Sequence, residues 1–306
     1  MRSILTALLA LAIIAAAHAQ SPVHDDEAPL PCQSCAKWNR EQPPFQIYGN
    51  TWYVGVRELG AMLITGAQGH ILIDGALPQS AAIIRKNVEA LGFQMRDIKL
   101  ILNSHEHFDH AGGIAALQRM SGASVAASPA AARVLRAGVI GPDDPQYERK
   151  KPTRIPRVAQ VRTVADGEVV RLGELALTAN FTPGHTPGST TWTWQSCEAG
   201  KCLDIVYADS LNAISTGDFR FLGDARRPDI SASFMNSIAR MAGLKCDIVI
   251  AVHPGLTDTM EKRAERRPEK NTFIDPAGCR TYAADAADRL ERRLAREGSP
   301  DWEKTR

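Results

Sequence analysis

The sequence feature that most constrains this chain is a run of seven residues at 104–110, which reads SHEHFDH. It holds four residues that can bind a divalent metal ion, His105, His107, Asp109 and His110. A chance polar loop would seldom gather three histidines and a carboxylate in six positions. Imidazole and carboxylate ligands, with no cysteine among them, suit zinc better than magnesium or calcium. The run therefore predicts a metal site.

The residues around this run predict where it lies in a fold. An apolar stretch at 98–102 leads in and a helical pattern follows at 114–120, which is typical of a strand-to-helix turn at the edge of a sheet. His105 and His107, two residues apart, point the same way while the chain is extended, and the next two ligands turn toward a second centre. A carboxylate just before a helix N-terminus stays ionised, as a metal ligand must.

Two more histidines follow apolar strands. His185 lies in a Thr-Pro-Gly-His-Thr-Pro-Gly turn after the predicted strand 175–181, and His253 follows the predicted strand 247–252. Together with the first run they make six candidate ligands. Six ligands are enough for two zinc ions with open positions for water.

Hydrophobic periodicity and turn residues predict the remaining elements. The predicted strands are 45–48, 51–56, 61–65, 70–73, 98–102, 124–127, 158–164, 168–172, 175–181, 190–195, 203–207 and 247–252, and the predicted helices are 79–91, 114–120, 129–136, 230–241 and 282–296. His70 is expected to be an ordinary sheet residue. The proline-rich stretch 141–157 predicts a long irregular loop, either a lid or binding loop or a mobile surface excursion.

The N-terminus has the pattern of a secretory signal. Arg2 precedes an apolar, alanine-rich run, and Ala17-His18-Ala19 fits a cleavage site after Ala19. A membrane anchor is the alternative, but the run is short for a spanning helix. We therefore expect residues 1–19 to be removed, and residues 20–306 to form a single periplasmic or secreted domain with no membrane contact. The formal net charge of +2 does not suggest a nucleic-acid partner, and we expect a monomer.

The chain has six cysteines, an even number that predicts disulfides in an exported protein. Cys197 and Cys202 flank a turn between two predicted strands, and Cys246 with Cys279 is the expected long-range pair. Cys32-x-x-Cys35 remains open: the spacing can be redox-active or zinc-binding, but a local structural disulfide or two free thiols is the preferred interpretation.

Several motifs, taken together, resemble the metallo-β-lactamase superfamily and, within it, the subclass B3 metallo-β-lactamases. They are Tyr48-Gly-Asn-Thr-Trp-Tyr-Val-Gly55, Gly69-His-Ile-Leu-Ile-Asp74, the 104–110 run, Thr193-Trp-Gln-Ser-Cys197 and Tyr207-Ala-Asp-Ser-Leu211. The resemblance covers residues from about Trp38 to the last helix. It implies an α/β fold of four layers, an αββα sandwich of two similar halves, with a dinuclear zinc site at one edge.

The resemblance also implies roles for individual residues. The first zinc would be held by His105, His107 and His185, and the second by Asp109, His110 and His253. Substrate contacts would come from Ser210, Asn212, Gln146 and Trp38. His105, His185 and Asp109 would also act in catalysis, the first two by holding the zinc that polarises the carbonyl and Asp109 by orienting the hydroxide. Arg57 is a departure, since some relatives place there a cysteine that pairs with the counterpart of Cys32.

The expected activity is hydrolysis of the β-lactam amide bond of penicillins, cephalosporins and carbapenems by a zinc-bound hydroxide, which confers antibiotic resistance. Ser34-Cys-Ala-Lys37 matches S-x-x-K, but no other serine-enzyme motif accompanies it. One alternative is another hydrolase of the same fold, a thioesterase of the glyoxalase II kind or a lactonase. That alternative expects Asp209 to bridge the metals. A non-catalytic periplasmic binding protein with a vestigial metal site is the second alternative.

Overall fold

The computed structural model describes residues 25–302. The expected signal peptide, residues 1–19, lies outside the described residues. Among residues 25–302, none of the helices combines the length and apolar character that a membrane crossing requires.

The first half of the chain forms a seven-stranded sheet whose strands follow sequence order. Its strands are β1 (Phe45–Tyr48), β2 (Thr51–Tyr53), β3 (Met62–Ile64), β4 (His70–Ile73), β5 (Ile98–Leu102), β6 (Ser124–Ala127) and β7 (Val161–Thr163). The strands from β1 to β4 pair antiparallel, and those from β4 to β7 pair parallel. The parallel strands therefore deliver their carboxyl ends to one edge.

The second half forms a five-stranded sheet in the order β12-β11-β10-β9-β8. Its strands are β8 (Val169–Leu172), β9 (Leu175–Phe181), β10 (Thr190–Glu198), β11 (Lys201–Ala208) and β12 (Ile248–Ala251). All pairs are antiparallel except β11 with β12. The hairpin of β10 and β11 has Cys197 directly opposite Cys202.

Helices cover the outer face of each sheet. The α-helices of residues 25–302 are α1 (Cys35–Trp38), α2 (Ala81–Ala90), α3 (Phe108–Ala111), α4 (Ile114–Ser121), α5 (Pro129–Ala137), α6 (Ser231–Ala242), α7 (Thr259–Glu265) and α8 (Gly278–Gly298). One apolar cluster joins α2, α4 and α5 to the first sheet, and another joins α6 and α8 to the second. A third lies between the sheets and includes Leu102, Trp192 and Ile250. This layering confirms the αββα sandwich.

The predicted element boundaries hold best where strands are apolar and bounded by turns. Strands 45–48, 70–73, 98–102, 124–127 and 175–181 end where predicted. The strand predicted at 51–56 ends at Tyr53, because the chain then folds into a tight loop in which the Tyr53 hydroxyl donates to the carbonyls of Val56 and Leu59. The last helix begins at Gly278, four residues earlier than predicted.

The six cysteines form three disulfides in the structure, Cys32–Cys35, Cys197–Cys202 and Cys246–Cys279. His70 lies in β4 with its ring edge-on to Phe93, as an ordinary sheet residue would. The stretch 141–157 contains no helix or strand.

Candidate metal centre

A buried carboxylate fixes the start of the turn that follows β5. Asp74 accepts hydrogen bonds from the backbone N–H and hydroxyl of Ser104, at 2.7 and 2.6 Å, and from the Tyr207 hydroxyl at 3.1 Å. The Asn103 amide donates both to Asp74 and to the carbonyl of His105. The turn is thus held by side chains before any ligand is reached.

Three histidines converge in a first ligand set. Ligand atoms of His105, His107 and His185 all lie within 4.8 Å of one another. His107 Nδ1 is 3.2 Å from His185 Nε2, and His105 Nε2 is buried without a hydrogen-bond partner among the described residues. Two nitrogens bound to one tetrahedral zinc at 2.0–2.1 Å lie roughly 3.3–3.4 Å apart, so the set fits a zinc ion.

A second ligand set lies beside the first. Asp109 Oδ2 is 3.4 Å from both His110 Nε2 and His253 Nε2, and the two histidine nitrogens are 3.2 Å apart. Ligand atoms of His105, Asp109 and His110 also lie within 4.8 Å of one another, so the two sets are adjacent. The structure therefore brings together all six residues that the sequence predicts as ligands.

Each histidine of the first set forms a hydrogen bond from its other ring nitrogen to an acceptor elsewhere in the protein. His105 Nδ1 donates to Asp209 at 2.7 Å, and His185 Nδ1 donates to the backbone carbonyl of Asn212 at 2.8 Å. His107 Nε2 donates to Asp144, whose two oxygens lie at 3.0 and 3.1 Å. Such partners fix the tautomer and aim the remaining lone pair at the metal.

The electrostatics of the cluster favour metal ligation. Burial, reinforced by the neighbouring His107 ring, lowers the pKa of His185 to about 3. Burial and the His110 ring lower the pKa of His253 to about 4. Burial opposes ionisation of Asp109, but the surrounding His110, His253 and His107 together outweigh it and hold the pKa of this carboxyl well below its usual range. Neutral imidazoles and an ionised carboxylate are the forms that bind a metal.

Glu106 joins the two ligand turns of the first set. Its carboxylate accepts from the Thr186 hydroxyl at 2.8 Å and from the Gly188 backbone N–H at 3.0 Å. Burial first, and then the nearby Asp144, raise the pKa of Glu106 to about 7. A Cβ on Gly188 would lie 2.3 Å from the Glu106 carboxylate, so this close approach requires glycine there.

The residues predicted to face the substrate lie at different depths. The Trp38 ring is 5.8 Å from that of His253, and Gln146 Nε2 is 3.4 Å from His107 Nδ1. Ser210 is buried and its hydroxyl has no hydrogen-bond partner among the described residues. Asn212 contributes its backbone carbonyl to the site through the bond to His185.

The loop that carries Arg57 supports the second ligand set. Arg57 directs its guanidinium to Gln42, and the ring of His253 hydrogen-bonds the backbone of Glu58. The Glu58 side chain forms an ion pair with Arg40, and the Glu58 backbone N–H donates to the carbonyl of Trp38. These contacts hold the segment before β1 against the site.

Sequence reasoning missed the roles of Asp144 and Glu106 and left that of Asp209 open. Glu106 stands inside the SHEHFDH run, where its position between two ligands was the available signal. For Asp209 the sequence left two positions open, between the metals or behind a ligand, and its carboxylate contacts His105 Nδ1, the nitrogen that does not face the other ligands. Asp144 lies in the irregular loop, and no periodic pattern marks it.

Comparisons with known proteins agree with this geometry. The sequence model of the metallo-beta-lactamase superfamily matches residues 61–253. The structure resembles MEM-A1, a subclass B3 metallo-beta-lactamase isolated from a soil metagenome library, with 50% identity and a TM-score of 0.82 over 85% of this chain and 98% of that chain. It also resembles the metallo-beta-lactamase SMB-1 in complex with mercaptoacetic acid, with 46% identity and a TM-score of 0.80 over 85% of this chain and 99% of that chain. BJP-1, a subclass B3 metallo-beta-lactamase of Bradyrhizobium japonicum, is 33% identical, with a TM-score of 0.78 over 86% of this chain and 97% of that chain.

Curated relatives are more distant. Hydroxyacylglutathione hydrolases of Bradyrhizobium sp. (strain ORS 278) and Anaeromyxobacter dehalogenans (strain 2CP-C) are 29% and 34% identical over 149 and 155 residues. These matches cover 48% and 51% of this chain, and 48% and 46% of the two relatives. The chain thus spans about half the length of the curated relatives it matches.

Proposed function

This chain belongs to the metallo-beta-lactamase superfamily, and on that basis we propose that it is a zinc-dependent hydrolase of the β-lactam amide bond, of the subclass B3 kind. The observation that carries the proposal is the convergence of five buried or half-buried histidines and Asp109 into two adjacent ligand sets. Solved subclass B3 enzymes at up to 50% identity, which this chain matches over nearly their whole length, support the substrate class.

We assign His105, His107 and His185 to one zinc ion, and Asp109, His110 and His253 to a second. Bound zinc supplies Lewis acidity and lowers the pKa of water, so that a hydroxide nucleophile forms near neutral pH. The protein's part is to keep His105, His185 and His253 neutral through burial and to keep the Asp109 carboxylate charged. The Asp109 contacts with His110 and His253 use Oδ2 alone, and we assign Oδ1 to orient the attacking hydroxide by accepting a hydrogen bond from it.

The substrate would be held between the two ends of the site. Trp38, beside the second set, offers an apolar wall, and Gln146, beside the first, offers an amide donor. Ser210 would bind the substrate carboxylate, because its hydroxyl is buried next to the site and has no hydrogen-bond partner among the described residues. Asn212 is assigned to the same end of the substrate.

A thioesterase of the glyoxalase II kind is the competing function, and the curated relatives that match half of the chain are named hydroxyacylglutathione hydrolases. It expects an aspartate between the metals. The Asp209 carboxylate instead backs His105, which counts against this alternative.

We also propose that residues 1–19 direct export and that residues 20–306 form one monomeric domain in the periplasm or outside the cell. Three disulfides within residues 25–302 support an oxidising compartment.

The test is hydrolysis of a carbapenem by the purified protein, with and without a chelator. We expect zinc-restorable turnover, and a loss of at least about 100-fold in His105→Ala, beyond the 10- to 100-fold typical of residues that only back a ligand. His70→Gln is the matched control, a histidine change in β4 away from the ligands, and should keep activity and zinc content. Turnover that survives metal stripping would refute the mechanism. Turnover of thioesters or lactones alone would show that the substrates are not β-lactams.

A further inference from the structure

One charged side chain of the irregular loop between α5 and β7, residues 138–160, is buried. Asp144 is 2% exposed, whereas its neighbour Asp143 is exposed and pairs with Arg133 on the surface. A buried carboxylate is costly unless it is paired and hydrogen-bonded. The loop therefore places Asp144 inside the protein against a specific partner.

That partner is a ligand of the first set. Both carboxylate oxygens of Asp144 lie 3.0–3.1 Å from His107 Nε2. The proton on Nε2 leaves the lone pair on Nδ1, the nitrogen that lies 3.2 Å from His185 Nε2. The contact thus decides which nitrogen of His107 is available to a metal ion.

The same carboxylate shapes the loop. Asp144 Oδ1 accepts from the backbone N–H of Gln146 at 2.7 Å, and the Asp144 carbonyl accepts from the N–H of Tyr147 at 3.0 Å. These bonds close a tight turn whose tip carries the Gln146 side chain to within 3.4 Å of His107 Nδ1. The carbonyl of Pro145 also accepts from Thr216 of the loop after β11.

We propose that Asp144 is a positioning residue that couples closure of the 138–160 loop to metal binding in the first ligand set. The inference rests on the zinc centre proposed above. A cation on Nδ1 makes the Nε2 proton a stronger donor to Asp144, and the carboxylate in turn makes Nδ1 a better ligand. Because such coupling is reciprocal, metal should hold the loop closed and the closed loop should raise metal affinity.

The loop carries its own reporter of closure. Arg149, Lys150 and Lys151 are exposed, so trypsin can cut the bonds after Arg149 and after Lys150. The experiment compares the wild type, Asp144→Asn and the matched control Asp143→Asn, the adjacent residue with the same change. For each protein, zinc affinity is measured by competition with a chromogenic chelator, and the tryptic cutting rate is measured with saturating zinc and with chelator.

We expect zinc to slow cutting in the wild type and in Asp143→Asn. In Asp144→Asn we expect a 10- to 100-fold weaker affinity for one zinc ion, the range typical for a residue that backs a ligand. We also expect saturating zinc to protect the loop of this variant no longer. Equal affinity and equal protection in the two variants would overturn the proposal, and so would full protection of Asp144→Asn at saturating zinc.

A second variant covers the case in which Asp144→Asn does not fold. His107→Gln removes the imidazole from the other side of the contact, so zinc bound at the remaining ligands should not protect its loop. Undiminished protection there would overturn the coupling. The proposed activity is tested separately. If the wild type binds zinc and closes its loop but hydrolyses no β-lactam, the proposed function is refuted and this inference stands.

Discussion

At the scale of single residues, the site is a group of histidines that must stay neutral although they crowd one another. Burial and mutual repulsion lower the pKa values of His105, His185 and His253. His107 is the exception: burial opposes its protonation, yet Asp144 raises its pKa above the usual value. The carboxylates around the cluster therefore decide where protons are kept.

Glu106 yields a prediction about pH in the metal-free protein. Its pKa in the folded state, about 7, is above the ordinary 4.5, so the protonated form is favoured by folding. The stability that this provides is complete below pH 4.5 and is lost as the pH rises through about 7. Glu106→Gln keeps the shape without ionising, so its stability relative to wild type should rise by about 3 kcal/mol at most between pH 4.5 and pH 8.

The measurement is urea unfolding of chelator-treated protein at several pH values. Glu148→Gln, an exposed glutamate of the loop, is the control and should track the wild type. A Glu106→Gln variant whose stability ran parallel to the wild type across this range would contradict the shift.

The six candidate ligands could be predicted from the sequence because each lies close to a strand with a clear apolar pattern. His185 and His253 follow β9 and β12, whose ends the pattern marks well. The residues that back the ligands could not be predicted in the same way. Asp144 lies in a stretch without periodicity, and its burial depends on contacts with His107, 37 residues earlier, and with Gln146.

At the scale of elements, strands carry the ligands and helices hold the strand ends in place. Tyr282 of the last helix, α8, contacts the turn after β11. The Tyr282 hydroxyl donates to the carbonyl of Asp209 at 2.7 Å and accepts from the N–H of Leu211 at 3.2 Å. Tyr282, Ala286 and Leu290 are buried, so the inner face of this helix packs against the second sheet.

Tyr282→Phe should loosen the turn that holds Asp209. The change leaves a buried carbonyl and a buried N–H unpaired, which costs about 1–3 kcal/mol for each unsatisfied group. Since Asp209 backs His105, zinc affinity should fall together with the free energy of unfolding. Both are measured, by chelator competition and by urea unfolding.

Tyr48→Phe is the matched control for this change. The Tyr48 hydroxyl donates to the carbonyl of Lys201, at the far end of β11 from the site. It should lower stability without altering zinc affinity. An unchanged zinc affinity in Tyr282→Phe, or an equal fall in both variants, would contradict the role given to α8.

The ends of a strand could be predicted where residue types alone determine them. They were harder to predict where pairing with a distant strand determines them. Residues 158–160 have strand-like character, but pairing with β6 begins only at Val161 opposite Val125. The sheet order and the packing of the two sheets follow from contacts between distant segments. No local pattern in the chain specifies them. The resemblance to a known family supplied the layered packing of the two sheets, and the strand order was not predicted.

At the scale of the whole molecule, the candidate metal centre joins the two halves of the sandwich. His105, His107, Asp109 and His110 come from the turn after β5, whereas His185 and His253 come from the second half. Each ligand set therefore contains residues from both halves. A metal ion bound to either set would link the two sheets at their common edge, in addition to the apolar layer between them.

This arrangement predicts that zinc stabilises the entire domain. Zinc that binds only the folded state at a free concentration of 100 times its Kd adds about 2.7 kcal/mol, which corresponds to a rise in Tm of roughly 5–10 °C. The measurement is thermal unfolding with zinc and with chelator. His185→Ala and His253→Ala, which each remove the second-half ligand of one set, should keep only part of the rise, and His70→Gln should keep it all. If removing both second-half ligands left the rise intact, zinc would be binding within the first half alone, and the two halves would not share a metal centre.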